Sequence, residues 1–112
     1  MTYNNWDVVA VFFPFTDRSS TKKRPALIIS KSEYQCKTGH LILLMITSAE
    51  HSSWYSDINI EDLNLTGLKN PSVIRFKVFS LDERLIIKRI GCLSESDKMK
   101  VKENLLNTIE LT

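Results

Sequence analysis

Two short strings in this sequence carry side chains suited to a phosphodiester. Lys22-Lys23-Arg24-Pro25 sets three cations in a row where an apolar run begins, and Thr47-Ser48 sets two hydroxyls where another run ends. A guanidinium is a planar, permanently charged fork that matches two phosphate oxygens. A threonine hydroxyl on a rigid strand end can position a phosphate or relay a proton. RNA can be cut with such groups and no metal, because its own 2′-hydroxyl can attack the adjacent phosphate. The reaction needs in-line geometry, a cation at the developing charge, and proton movement off the 2′-oxygen and onto the leaving 5′-oxygen. Arg75 and Lys77 lie two positions apart and could add phosphate contacts. Each group also has a plainer reading. Arg24-Pro25 can be an exposed edge cation, Thr47-Ser48 ordinary turn chemistry, and Arg75 with Lys77 a solvated strand face.

These residues must be positioned by strands. From Trp6 to Phe13, Trp6, Val8, Ala10 and Phe12 point to one face and Val9, Val11 and Phe13 to the other. Both faces are apolar, so the strand is expected to be buried on both sides. Pro14 and Pro25 bracket a polar loop in which Asp17-Arg18-Ser19-Ser20 carries turn chemistry. Arg24–Ser30 resumes the sheet, with Arg24-Pro25 as the first residues of the strand. Lys31–His40 reads as a connection whose Tyr34 and Cys36 could dip into the core. Leu41–Ile46 reads as a central strand. Ile58 and Ile60 suggest a short strand, and Asn70-Pro71 marks a turn. Ser72–Ser80 alternates Ile74, Phe76 and Val78 against Val73, Arg75, Lys77 and Phe79. A turn at Leu81–Arg84 leads to a strand at Leu85–Ile90, closed by Gly91.

Ser94 opens the only clear helix, expected from Glu95 to about Glu110, with the Ser94 hydroxyl accepting from the Asp97 N–H. Asp97, Lys100, Glu103, Asn104, Asn107 and Glu110 form a polar face. Met99, Val101, Leu105, Leu106 and Ile109 form the opposite one, interrupted by Lys98 and Lys102. The fold expected is mainly β (α+β), a small, strongly curved sheet or partly open barrel with a C-terminal helix.

A chain of 112 residues, 43% hydrophobic and 25% charged, suits one compact domain over residues 1–112. The net charge of +2 makes it no polycation, so nucleic-acid binding has to come from local clustering. No apolar run approaches the roughly 18 residues of a membrane span. Met1–Asn5 is polar and uncharged, unlike the start of a secretory signal, which makes the cytoplasm the expected compartment. Cys36 and Cys92 fit no paired motif and are expected to be free thiols. His40 and His51 stand in no metal-ligand spacing, and no cluster of carboxylates suits paired magnesium ions; neither metal nor cofactor is expected. Trp54 and Tyr55 could stack on an unpaired base, or serve packing or a dimer contact.

Asp7-Val8-Val9 with its apolar run, Pro14-Phe15-Thr16-Asp17, and Arg24-Pro25-Ala26-Leu27-Ile28-Ile29-Ser30 together resemble the MazF/PemK family of toxin endoribonucleases. Thr47-Ser48 at a strand end, Ser72-Val73-Ile74-Arg75 and Ile90-Gly91-Cys92-Leu93-Ser94 extend the resemblance over nearly the whole chain. The family usually has Gly immediately before the opening aspartate, where this chain has Trp6. The resemblance implies an SH3-like barrel, a homodimer, a cognate antitoxin, and single-stranded RNA (mRNA) as substrate. It implies Arg24 and Thr47 as the catalytic pair, Ser48 as an auxiliary donor, and products with a 2′,3′-cyclic phosphate and a 5′-hydroxyl. Lys22, Lys23, Arg75 and Lys77 would line the path of the RNA and suit an acidic antitoxin segment. One branch of the family has an acidic residue where Lys77 stands, so that role is not carried over. Two other readings are a CcdB-like gyrase poison and a non-catalytic barrel binding RNA or a peptide. The first acts through a Trp-Gly-Ile end, whereas Ile109-Glu110-Leu111-Thr112 stands here.

Overall fold

The computed structural model describes residues 1–13, 22–50 and 53–110. The Asp17–Ser20 turn and His51 lie outside the described residues. Six strands form one sheet: β1 (Asp7–Phe13), β2 (Lys22–Ile28), β3 (His40–Ser48), β4 (Ile58–Asn59), β5 (Ser72–Asp82) and β6 (Ile86–Cys92). Every pairing is antiparallel, in the order β4-β5-β3-β2-β1-β6, and the sheet does not close.

Strand β1 shows why both faces read as apolar. Val8 packs with Leu27, Leu44, Ile46, Ile74 and Leu93, under Val101 of the C-terminal helix. Val9, Val11 and Phe13 pack on the other side with Ala26, Ile28, Leu41, Leu43, Leu81 and Ile86. One sheet can enclose two cores only if it bends. Register shifts supply the bend at Val8/Val9 and Ala10/Val11 in the β1–β6 pair and at Leu44/Met45 in the β3–β5 pair. The last shift also breaks the simple alternation expected along Ser72–Ser80, because Leu44 pairs with Val78 while Met45 pairs with Arg75.

Among the described residues three α-helices complete the fold: α1 (Ser32–Thr38), α2 (Leu63–Thr66) and α3 (Glu95–Thr108). The expected connection at Lys31–His40 is therefore a helix, ended by Gly39 at φ 72 with its N–H donating to the Gln35 carbonyl. Tyr34 and Cys36 do not enter the core; they are exposed, and Gln35 is the residue that turns inward. Its Oε1 accepts from the Tyr3 N–H at 2.9 Å, while Nε2 donates to the Met1 carbonyl and to Glu83 Oε1. A polar residue was missed as an anchor because its partners come from distant segments, the N-terminus and the turn after β5. Strand β5 runs to Asp82 and is followed by a 3-10 turn at Glu83–Leu85, and Gly91 lies inside β6 rather than closing it.

Helix α3 starts as expected, with Ser94 Oγ accepting from the Asp97 N–H at 3.2 Å. Its buried face is different from the expected one. Asp97, assigned to the polar face, is 0% exposed, and its carboxylate accepts from the N–H groups of Glu61 and Asp62 and from the Ser94 hydroxyl. Conversely, Met99 and Leu106 are 62% and 67% exposed. Lys98 is partly buried against Glu95, and the Lys102 ammonium sits 5.8 Å from the centroid of the Trp6 ring. No helix among the described residues is long and apolar enough to cross a membrane. Cys36 and Cys92 are free thiols.

Trp6 adopts φ 76, the left-handed region that favours glycine. Its backbone is held on both sides, with its N–H donating to the Ile28 carbonyl at 2.7 Å and its carbonyl accepting from the Leu93 N–H at 3.0 Å. The Trp6 indole packs against the core cluster that contains Val8, Leu27 and Leu93.

Candidate active site

Antiparallel pairing of β2 with β3 carries Ala26 opposite Met45. Two residues further along, β2 reaches Arg24 and β3 reaches Thr47. Strand alternation and register, not sequence proximity, bring the two to one level. Both are half-buried and line a single cleft of about 260 Å³ with Pro25, Ile46, Ser48 and the Leu68–Asn70 loop. Ser72, at the start of β5, completes the wall. Among the described residues, the side chains lining the cleft offer a guanidinium, the ammonium of Lys69, three hydroxyls and the Asn70 amide, and no carboxylate. Glu50 lines an adjoining hollow with Ser48, Asn70 and Pro71, and its N–H donates to Ser48 Oγ. Among the described residues, no three His, Cys, Asp or Glu side chains group as a metal site.

The Leu68–Asn70 loop reaches the cleft because its base is pressed onto β6. A Cβ on Gly91 would collide with the backbone of Leu65 and Thr66, and one on Gly67 with the Ile90 carbonyl. Two glycines let backbone meet backbone there.

The other cations are distributed less simply than expected. Lys22 and Lys23 are exposed at the start of β2, opposite Phe13 and Phe12 of β1. They flank the cleft without lining it. Lys77 is exposed, with its ammonium 4.5 Å from the centroid of the Trp54 ring. Arg75 is not a solvated cation and does not reach the cleft. It is 8% exposed, with Nε 3.2 Å from Asp57 Oδ1 and Nη2 2.9 Å from Asp57 Oδ2. Asp57 holds the guanidinium above its ordinary pKa, so its charge is permanent and internal. A buried charge must be paired, and Asp57 pairs this one.

The profile of the PemK-like, MazF-like toxins of type II toxin–antitoxin systems matches residues 4–109. The chain belongs to this toxin family. Its fold is that of MazF in the MazE–MazF complex from Deinococcus radiodurans, at 18% identity and TM-score 0.76, covering 100% of this chain and 99% of that one. The Mycobacterium tuberculosis toxin MazF-mt6 superposes with TM-score 0.72 at 18% identity, over 90% and 93% of the two chains. An endoribonuclease in complex with its cognate antitoxin from a mycobacterial species gives 0.72 at 11% identity, over 95% and 91%. No curated protein matches the sequence significantly.

In this MazF-like toxin the resemblance singled out Arg24, Thr47 and Ser48, and all three line one cleft. Lys69, Asn70 and Ser72 were missed. Asn70-Pro71 read only as a turn, because nothing local says that the turn closes over the end of β3. Asp57 was missed as well, since its partner lies 18 residues away on another strand.

Proposed function

We propose that this toxin is an endoribonuclease that cuts single-stranded RNA through its own 2′-hydroxyl, without a metal ion. The observation that carries the reading is the shared cleft of Arg24 and Thr47. Arg24 takes the non-bridging oxygens of the scissile phosphate and stabilises the charge that builds on them as the 2′-oxygen attacks. Thr47 orients the same phosphate so that attack and departure lie in line, and Ser48 is an auxiliary donor. As the new O2′–P bond forms the P–O5′ bond breaks; water takes the 2′-hydroxyl proton and supplies one to the leaving 5′-oxygen, so one fragment ends in a 2′,3′-cyclic phosphate and the other in a 5′-hydroxyl. Lys22, Lys23 and Lys69 attract the backbone on either side.

A cognate antitoxin would silence the enzyme by laying an acidic segment along the same cations, folding as it binds. The pairing of two copies is supported by the apolar residues that α3 leaves exposed, Met99 and Leu106. The test of the chemistry is a short single-stranded RNA incubated with the toxin in EDTA. Cutting should persist, and a 2′-deoxy sugar at the cut nucleotide should block it because the nucleophile is gone. Loss of cutting in EDTA with rescue by magnesium, or cutting of the deoxy strand, overturns the mechanism.

A further inference from the structure

Beyond the cleft, one exposed aromatic is held in a way that surface aromatics seldom are. Trp54 is 45% exposed, beside Tyr55 at 88%. The Trp54 backbone N–H donates to Asp57 Oδ2 at 3.0 Å, and its carbonyl accepts from the Asp57 N–H at 3.1 Å. Asp57 is in turn gripped by the buried Arg75. The following Ser56 sits at φ 69, and its carbonyl accepts from Asn104 Nδ2 of α3 at 3.0 Å. The turn carrying Trp54 is therefore braced from β5 and from α3. Its indole lines a hollow of about 360 Å³ with Asn59 and Val73, and the Lys77 ammonium lies over the ring.

Register ties this hollow to the cleft. Thr47 pairs with Val73, and Val73 with Asn59, so the three side chains share a face along one row across the sheet. With neighbouring strands about 4.8 Å apart, Asn59 stands roughly 10 Å from Thr47. That is the reach of a neighbouring nucleotide on a strand whose phosphate lies in the cleft.

We propose that Trp54 is a stacking platform for one unpaired base flanking the cut, with Lys77 on that nucleotide's phosphate and the Asn59 amide on the base edge. The inference rests on the endoribonuclease reading and names a specificity subsite for it. An indole face takes any base once the Lys77 ammonium moves from over the ring to the nucleotide's phosphate, and the exposed Asn59 amide adds a donor and an acceptor that can discriminate. Arg75 and Asp57 are positioning residues: they hold the turn and do not touch RNA. A peptide would not require a cation over the ring, nor a row leading to Thr47.

The experiment uses the full-length toxin with a mixed-sequence, 2′-O-methylated single-stranded oligoribonucleotide that binds without being cut. In a Trp6→Phe background, Trp54 is the only indole, and its fluorescence should be quenched saturably on titration. Trp54→Ala should weaken binding roughly 5- to 150-fold and Trp54→Phe much less. On a cleavable strand the loss should appear in KM, with kcat nearly unchanged. An abasic site scanned along the oligonucleotide should, at one position, bring wild-type affinity down to that of Trp54→Ala. Asp57→Asn should raise KM without lowering kcat. Unchanged RNA binding and KM in Trp54→Ala, in a toxin that still cuts through Arg24 and Thr47, overturns the platform and leaves the enzyme reading standing. A variant that loses only antitoxin affinity makes this a protein-docking surface and overturns it too. A wild-type toxin that neither binds nor cuts RNA overturns both readings.

Discussion

Asp57, just before β4, and Arg75, on β5, face each other across the sheet in a two-pronged ion pair whose side chains are 14% and 10% exposed. Removing one member strands the other charge in the interior, which costs more than the pair itself contributes. Arg75→Ala and Asp57→Ala should therefore each lower the urea midpoint clearly. The double variant should be less destabilised than the sum of the two. Arg75→Met, which fills the volume without charge, should unfold no earlier than Arg75→Ala when Asp57 is also replaced. Additive midpoints in the double-mutant cycle would mean that the two groups do not act as a unit.

Arg24 and Thr47 give the opposite expectation, because both sit half-exposed at a cleft wall. Arg24→Ala and Thr47→Ala should each lower the cutting rate about 100- to 1,000-fold, as loss of one pre-aimed charge-stabilising group does. Stability should move by no more than about 0.5 kcal/mol. Arg24→Lys should also be poor, since a point charge cannot offer a planar fork. His51→Ala should retain most activity, and the rate should show no acid limb near the ordinary histidine pKa of about 6.5. Primer extension on RNA from cells expressing each variant reads the result, and full cutting by both alanine variants refutes the pair.

Trp6 sets backbone strain against packing. At φ 76 a side chain costs about 1–2 kcal/mol relative to glycine, while the indole packs against the core cluster under the C-terminal helix. Trp6→Ala loses the packing and keeps the strain, whereas Trp6→Gly loses both. Stability should therefore fall in the order wild type, Trp6→Gly, Trp6→Ala, with the two variants about 1 kcal/mol apart. Chemical denaturation measures the order. If alanine proves more stable than glycine, the left-handed turn at Trp6 is wrong.

Asp97 ties α3 to the segment before α2 by accepting from two N–H groups outside its own helix. Asp97→Ala leaves those part-buried donors unpaired, and should destabilise by about 1–3 kcal/mol. Asp97→Asn keeps an acceptor oxygen and should cost distinctly less. A surface role, with both variants within about 0.5 kcal/mol of wild type, is the outcome that would reject the anchor.

The sequence by itself determined the strands and the start of the last helix. Period-2 apolar patterning, Pro25 and the Ser94 cap are local signals, and each acts through backbone sterics or a hydrogen bond within a few residues. It also carried Arg24, Thr47 and Ser48, because the family pattern lies in contiguous strings. Only the tertiary structure decided which polar residues face inward. Gln35, Arg75 and Asp97 all read as surface, yet each is buried, because partners from distant segments satisfy it: Tyr3 and Glu83, Asp57, and the Glu61–Asp62 backbone. Helical periodicity places residues on a face but not that face against a neighbour, so Asp97 and Met99 exchanged their expected roles. The bulge at Leu44/Met45 shifts pairing along β5 without any break in the apolar pattern. Register across three strands is what sets Thr47, Val73 and Asn59 in one row. That row is a property of the sheet, since hydrogen bonding between distant segments, not spacing along the chain, selects it.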